Sequence, residues 1–202
     1  MEKESNLTHD GNCWIYHDSK VFGDAKVKDG ATIYGSAKIF DNARIFGNAM
    51  VYGDAKIYDR AIVHYNARVY GNAVVNGKAA VFGNADIFGN AVVGDEAMVF
   101  GDSRVYGNSR IYGNANVYGS AEVHGNANIS SMQDIVWVTN VGSEFGTLTV
   151  FKGDNDNLLA TIGSFVGTVD EFLDQSKQVD SEKTYKEYKL LIDAAKSRIL
   201  GE

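Results

Sequence analysis

Four histidines, His9, His17, His64 and His124, are the side chains whose ordinary pKa lets them exchange a proton near neutral pH. His64 is singled out by its surroundings, because it lies mid-prism in a hexad, Ala61-Ile62-Val63-His64-Tyr65-Asn66, that departs from the consensus. A plainer reading makes His64 one more ring in an aromatic column, and His124 continues a run of tyrosines in the same way. The charged residues fall into two groups. Arg60 and Lys78, followed by Glu96, stand where Asn or Asp is the rule. Lys20, Lys38 and Lys56 recur at 18-residue spacing beside Phe22, Phe40 and Tyr58. A lysine row can hold an anion while neighbouring rings stack on a base. A solvated face neutralised by Asp24 and Asp54 is the alternative. Cys13 occupies a small-residue position and reads as packing. No Walker loop, nucleophile elbow or Cys–His arrangement is present, and the many glycines fall at corners, so they carry no weight for nucleotide binding.

A repeat positions these residues. An aliphatic falls at every sixth position from Ile15 to Ile129, giving 20 consecutive hexads close to Ala-x-Val-Tyr-Gly-Asn. A period of six fits neither the alternation of a strand nor the 3.6 of a helix; it predicts a short strand plus a two-residue corner, repeated as a solenoid. Two residues before each aliphatic stands a small one, Cys13 and Ser19 and then mostly Ala. Side chains alternate along a strand, so small and aliphatic residues share the inside. The residue between them and the one after the aliphatic point outward. The remaining pair, mostly Gly-Asn or Gly-Asp, forms a corner where one residue needs φ > 0.

Hexads such as Val51-Tyr52-Gly53-Asp54-Ala55-Lys56, with a small residue four after the aliphatic, resemble the hexapeptide-repeat, left-handed parallel β-helix proteins. The resemblance covers Cys13 to Met132. It implies a triangular prism with three hexads per coil, a homotrimer, and in many members an acyl- or acetyltransferase using a coenzyme A thioester. It also implies a role for His64, since such enzymes place a histidine at a subunit boundary as the base that deprotonates the acceptor. The trinuclear-histidine site of γ-class carbonic anhydrases, which share this fold, needs closely spaced histidine pairs. The four histidines here form none, so no metal is expected. At about 4.8 Å per coil the prism is roughly 32 Å tall.

Taken at 18-residue spacing, the second outward residues form three columns. The first runs Tyr16, Tyr34, Tyr52, Tyr70, Phe88, Tyr106, His124; the second Phe22, Phe40, Tyr58, Asn76, Gly94, Tyr112; the third Lys28, Phe46, His64, Phe82, Phe100, Tyr118. Rings one coil apart stiffen a sheet. Beside the corner that carries Arg60, Lys78 and Glu96, the outward residues turn small or apolar: Val74, Asn76, Val92 and Gly94 before it, Ile62, Ala80 and Met98 after it. An apolar strip bordered by mixed charge predicts the trimer contact. A ligand pocket at that boundary would take in Arg60, His64, Lys78 and Phe82, with Lys38 and Lys56 as further anion ligands.

The chain therefore divides into an N-terminal arm or loose first turn (1–12), the solenoid (13–132) and a small α+β unit (133–202) that caps the open end or serves assembly. In that unit, Ile135–Thr139, Gly146–Phe151 and Leu158–Ile162 read as strands. Thr168-Val169-Asp170-Glu171 is a capping box opening a helix to about Gln178. Ser181 starts a longer helix with Tyr185, Tyr188, Ile192, Ala195 and Ile199 on one stripe. The hexads together with Glu144-Phe145-Gly146, Gly167-Thr168-Val169-Asp170-Glu171-Phe172 and a terminal helix resemble hypothetical proteins carried by phages and prophages.

A net charge of −7 argues against general nucleic-acid binding. No apolar run approaches a membrane span, Met1–Asn6 lacks the apolar core of a signal peptide, and a single cysteine fits a reducing cytoplasm. Hexapeptide transferases often interrupt their coils with a loop over the neighbouring site, whereas these hexads run unbroken. The sequence thus favours a non-enzymatic, cofactor-free trimeric binding protein of phage or mobile-element origin. It would hold a small anionic ligand (a nucleotide immune signal, for example) or a host protein, as anti-defence proteins do. The alternatives are a coenzyme A-dependent acetyl- or acyltransferase with His64 as base, and a structural scaffold.

Overall fold

The computed structural model describes residues 2–8 and 11–201, so His9 lies outside the described residues. Twenty two-residue strands, β1 (Trp14–Ile15) to β20 (Asn128–Ile129), recur every six residues, each made of an outward residue and the aliphatic after it. They build three parallel sheets. The first face takes β1, β4 and every third strand to β19, the second β2 to β20, the third β3 to β18. Arg68 lies opposite Met50 and Asp86, 18 residues to either side, so three hexads make one coil as the columns require.

The small and aliphatic positions fill the inside. From Val21 to Val99 every one of them is fully buried. Alanine at alternate inward positions leaves room for the aliphatic side chains of the other two faces. Coils are tied by backbone bonds such as Lys38 N–H to Ala55 O at 2.9 Å and Phe40 N–H to Ile57 O at 3.0 Å.

The corners carry the expected positive φ on their first residue: 69° at Gly53, 56° at Asp41, 58° at Asp59 and Tyr65. A Cβ on Gly53 would lie 2.9 Å from the nitrogen of Gly71 in the next coil, which explains the preference for glycine. The N–H of this corner residue donates to no backbone carbonyl among the described residues. Where aspartate replaces glycine, its carboxylate accepts that N–H from the next coil: Gly47 to Asp29 at 3.1 Å, Gly77 to Asp59 at 3.0 Å, Gly113 to Asp95 at 3.0 Å. Aspartate thus offsets left-handed strain with a coil-to-coil hydrogen bond.

Both ends are closed. Residues 2–8 lie under the first coil, where the fully buried Asn6 donates to the carbonyls of Gly23 at 3.1 Å and Ala25 at 2.9 Å. At the other end β21 (Ile135–Val141), β22 (Gly146–Lys152), β23 (Leu158–Ile162) and β24 (Phe165–Thr168) form an antiparallel sheet in chain order. Ile135 and Phe151 enter the solenoid core. The Thr161 hydroxyl donates to Glu122 O at 2.8 Å, and Glu122 N–H donates to the Thr149 hydroxyl at 3.2 Å, so the sheet covers the last coil's edge.

Behind this sheet stand α1 (Val169–Val179), opened by the Thr168–Glu171 capping box, and α2 (Glu182–Leu200), capped by Ser181. They complete a second core around Leu148, Phe172, Tyr188 and Ile192. Strand β24 was not expected from the sequence, because Phe165-Val166-Gly167-Thr168 is short, contains glycine and ends on the residue that caps α1. Among the described residues no helix is long and apolar enough to cross a membrane.

Candidate functional site

The first outward position has contrasting character on two faces. On the first face, successive coils carry Arg68, Asp86, Arg104 and Glu122, in register and alternating in sign. Arg68 is bidentate on Asp86, and Arg104 meets Glu122 at 2.8 Å. On the second face the same position carries Lys20, Lys38 and Lys56, also in register. All three are exposed, and none forms an ion pair or side-chain hydrogen bond with another described residue. Neither Asp24 nor Asp54 neutralises them; Asp24 faces Lys3 at 3.5 Å instead. The alternating ladder was missed in the sequence, although 18-residue spacing displays it as plainly as it does the lysines.

The aromatic columns are present, with one correction to their chemistry. Phe22, Phe40 and Tyr58 stack with centroids 5.0 and 4.9 Å apart and planes within 8°. Asn76 closes the column by donating to the Tyr58 hydroxyl at 2.8 Å, and Gly94 makes room for it: a Cβ there would lie 2.5 Å from Asn76 Oδ1. Ring faces are therefore consumed by the rings above and below. Inside the stack only edges reach solvent, and no other ring among the described residues covers the outer face of Phe22, which is where a base could still stack.

His64 sits inside the third column, 4.8 Å from Phe46 and 5.1 Å from Phe82. Burial pushes its pKa down, favouring the neutral imidazole. Tyr65 beside it is exposed, adopts the left-handed conformation at a corner and tilts against His64 at 4.7 Å. Phe82 continues the stack to Phe100 at 4.8 Å.

Arg60 and Lys78 belong to the opposite edge of this face. They line a shallow groove with Asp41, Asn42, Asp59 and Gly77, of which His64 and Phe82 are not part. Four residues of extended chain, up to about 13 Å, separate Arg60 from His64. Lys78 is engaged by Glu96 at 2.7 Å, and the Asp59 carboxylate holds Gly77 N–H, which leaves Arg60 as the groove's cation without an ion pair among the described residues. The expected single pocket is thus two separate places.

The apolar strip around that corner is real as a surface. Val74 and Val92 are in register on the second face; Ile62, Ala80 and Met98 are in register on the third. Met98 is exposed and the other four are half-buried. Asn76 and Gly94 have the intramolecular roles just described.

Four stretches of the repeat, residues 37–53, 43–56, 67–81 and 109–125, match the family model described as the YdcK beta solenoid repeat. Comparison with the curated proteins and with the solved structures returned no match. The repeat match and the three parallel sheets agree: the chain is a repeat β-solenoid with a small antiparallel sheet and two helices after it.

Proposed function

We propose that this protein is a non-enzymatic, trimeric binding protein whose second face holds an anionic partner. The lysine column carries the reading. One coil apart, two exposed ammonium groups repel by about 1 kcal/mol or less in water, and the first face avoids the same problem by alternating its charges. A row of like charges without partners among the described residues is stabilised when an anion bridges it. The edges of Phe22 and Phe40 beside it bear the positive rim of the ring quadrupole, which also suits an anion. The resemblance of the hexads to hexapeptide-repeat proteins supports a homotrimer joined along Val74, Val92, Ile62 and Met98, and the row of ammonium groups suits the phosphates of a nucleotide. An acidic face of a host protein would meet the same chemistry.

The test is a thermal-shift screen of nucleoside phosphates and cyclic nucleotides, with mass spectrometry of any small molecule released on heating. A stabilising nucleotide whose effect disappears in Lys38→Glu supports the reading. A shift that survives Lys38→Glu, or none with any anion, sinks it.

A second reading, acyl transfer from a coenzyme A thioester, draws on His64, whose imidazole burial keeps neutral, and on the strained Tyr65 next to it. Acetyl-coenzyme A turnover with amine or sugar acceptors, lost in His64→Ala, would favour it. Turnover unchanged by that substitution would discard it.

A further inference from the structure

The C-terminal unit contains a cavity of about 270 Å³ lined wholly by its own residues, at the small end of ligand cavities. It lies where the β21–β22 and β23–β24 turns meet the C-terminal end of α1. One side of the wall is aromatic, where Phe172 packs between Phe165 at 5.2 Å and Tyr188 at 4.9 Å, and the rest is largely polar. Within this lining Ser176, only 2% exposed, has a buried hydroxyl with no hydrogen-bond partner among the described residues. Buried hydroxyls are normally satisfied, and this one lies sealed just behind the lining, where a turn of its side chain would bring it to a ligand atom.

The charges in this lining have one sign. Glu144 and Asp180 both line the cavity, and neither carboxylate forms an ion pair or hydrogen bond with a described residue. A helix C-terminus carries partial negative charge, so the end of α1 adds to the same potential. Burial raises the pKa of the Tyr188 phenol on this wall, and Asp180, Glu187 and Glu144 raise it further. At the rim, Val179 is 72% exposed, and Phe145, next to Glu144 in the turn, is 74% exposed.

We propose that this cavity binds a small organic cation, an amine on a compact apolar body. Its ammonium lies between the Glu144 and Asp180 carboxylates and donates to Ser176 Oγ, while its apolar body packs on Phe165, Phe172 and Tyr188. A cation over these rings gains a further electrostatic attraction. A free amine and the lysine side chain of another chain share this chemistry, and the test includes both.

The experiment titrates the full, isotope-labelled chain with benzylamine, with its neutral counterpart benzyl alcohol, and with acetyl-lysine amide. The Gly142, Gly146 and Gly163 amides are followed by NMR and affinity by calorimetry. Benzylamine is expected to move these amides and saturate at millimolar concentration, with benzyl alcohol about tenfold weaker. Stronger binding of acetyl-lysine amide than of benzylamine identifies a protein partner as the source. A Glu144→Gln, Asp180→Asn double variant with an unchanged amide spectrum should lose about tenfold of benzylamine affinity. If that variant misfolds, Ser176→Ala takes its place and should weaken benzylamine more than benzyl alcohol. Equal binding of alcohol and amine, saturation that leaves these glycines unmoved, or no saturation overturns the proposal.

Discussion

Arg68 and Asp86 stand in register on adjacent coils, and the guanidinium grips the carboxylate through Nε to Oδ1 at 2.6 Å and Nη2 to Oδ2 at 2.5 Å. The Asp86 side chain is only 10% exposed, so its charge depends on that grip. Removing a partner from a buried charge is costlier than the pair is worth. Arg68→Ala is therefore expected to lose about 2 kcal/mol by urea denaturation, softened by Arg104 on the following coil. A loss on the order of a few tenths of a kcal/mol would mean that Asp86 is adequately solvated without Arg68.

Lys38 occupies the same position of the coil on the second face, and there the prediction reverses. Lys38→Glu would create the alternation of the first face, with Lys20 below and Lys56 above. It should stabilise the fold by about 0.5 kcal/mol, since exposed cross-strand ion pairs are worth no more. The same substitution should abolish anion binding, the usual sign that a local cost is kept for function. A lower urea midpoint for Lys38→Glu would show that the column is not frustrated in the free protein.

The two lysine and arginine patterns show what the period of six makes legible. Eighteen-residue spacing assigns face, height and column, which is why the lysine row, the three ring columns and the apolar strip all fall where the repeat puts them. Ring orientation is a different matter. Whether Phe40 offers a face or an edge depends on side-chain torsions and coil spacing, which no residue pattern encodes. The pairing of Lys78 with Glu96 is likewise a choice of rotamers. Arg60 and His64 share a height along the axis but stand at opposite edges of the third face, so within one chain they line no common groove. In the C-terminal unit no repeat constrains position, so Ser176 reads as an ordinary helix residue until the sheet, both turns and α1 are assembled around it.

Gly142 offers a test of that second core. Its φ is 71°, and a Cβ there would collide with the Tyr188 hydroxyl. Gly142→Ala combines left-handed strain with displacement of a core tyrosine, a loss of about 2 kcal/mol or more. The damage should stay local: amide exchange should accelerate in β21, α1 and α2 while the coils keep their protection. Uniform acceleration along the chain would show that cap and solenoid unfold as one unit.

The proposed trimer contact is the strip from Ile62 to Met98, and Val92 lies within it, half-buried on the second face. An introduced carboxylate there can meet Arg110, in register one coil away, in the monomer, but the pair would be desolvated on assembly. Light scattering of the wild type should give three times the chain mass, and Val92→Glu should return the mass of one chain with an unchanged circular dichroism spectrum. A monomeric wild type removes the trimer outright, and a Val92→Glu trimer moves the contact to another face.

His124 sets the expected response to pH. It ends the first aromatic column on Tyr106 at 4.5 Å, and its Nε2 is buried without a partner among the described residues. Burial lowers its pKa, with Glu122 opposing, and burial lowers that of His64 as well. A histidine whose folded pKa lies below its unfolded value of about 6.5 binds fewer protons folded than unfolded between those two values. Stability is therefore level above the unfolded value, falls as pH drops through it, and levels again below the folded value. Asp134, whose hydrogen bonds to Ser130 and Ser131 hold its pKa below the usual carboxylate value, loses stability in the same direction but at more acid pH. Urea midpoints between about pH 8 and pH 5 isolate the histidines from it. His124→Tyr, which restores the residue of its own column, should flatten part of that slope without lowering stability at about pH 8. His64→Phe should flatten the remainder. A slope identical in both variants and the wild type would assign the pH response to groups other than the two stacked imidazoles.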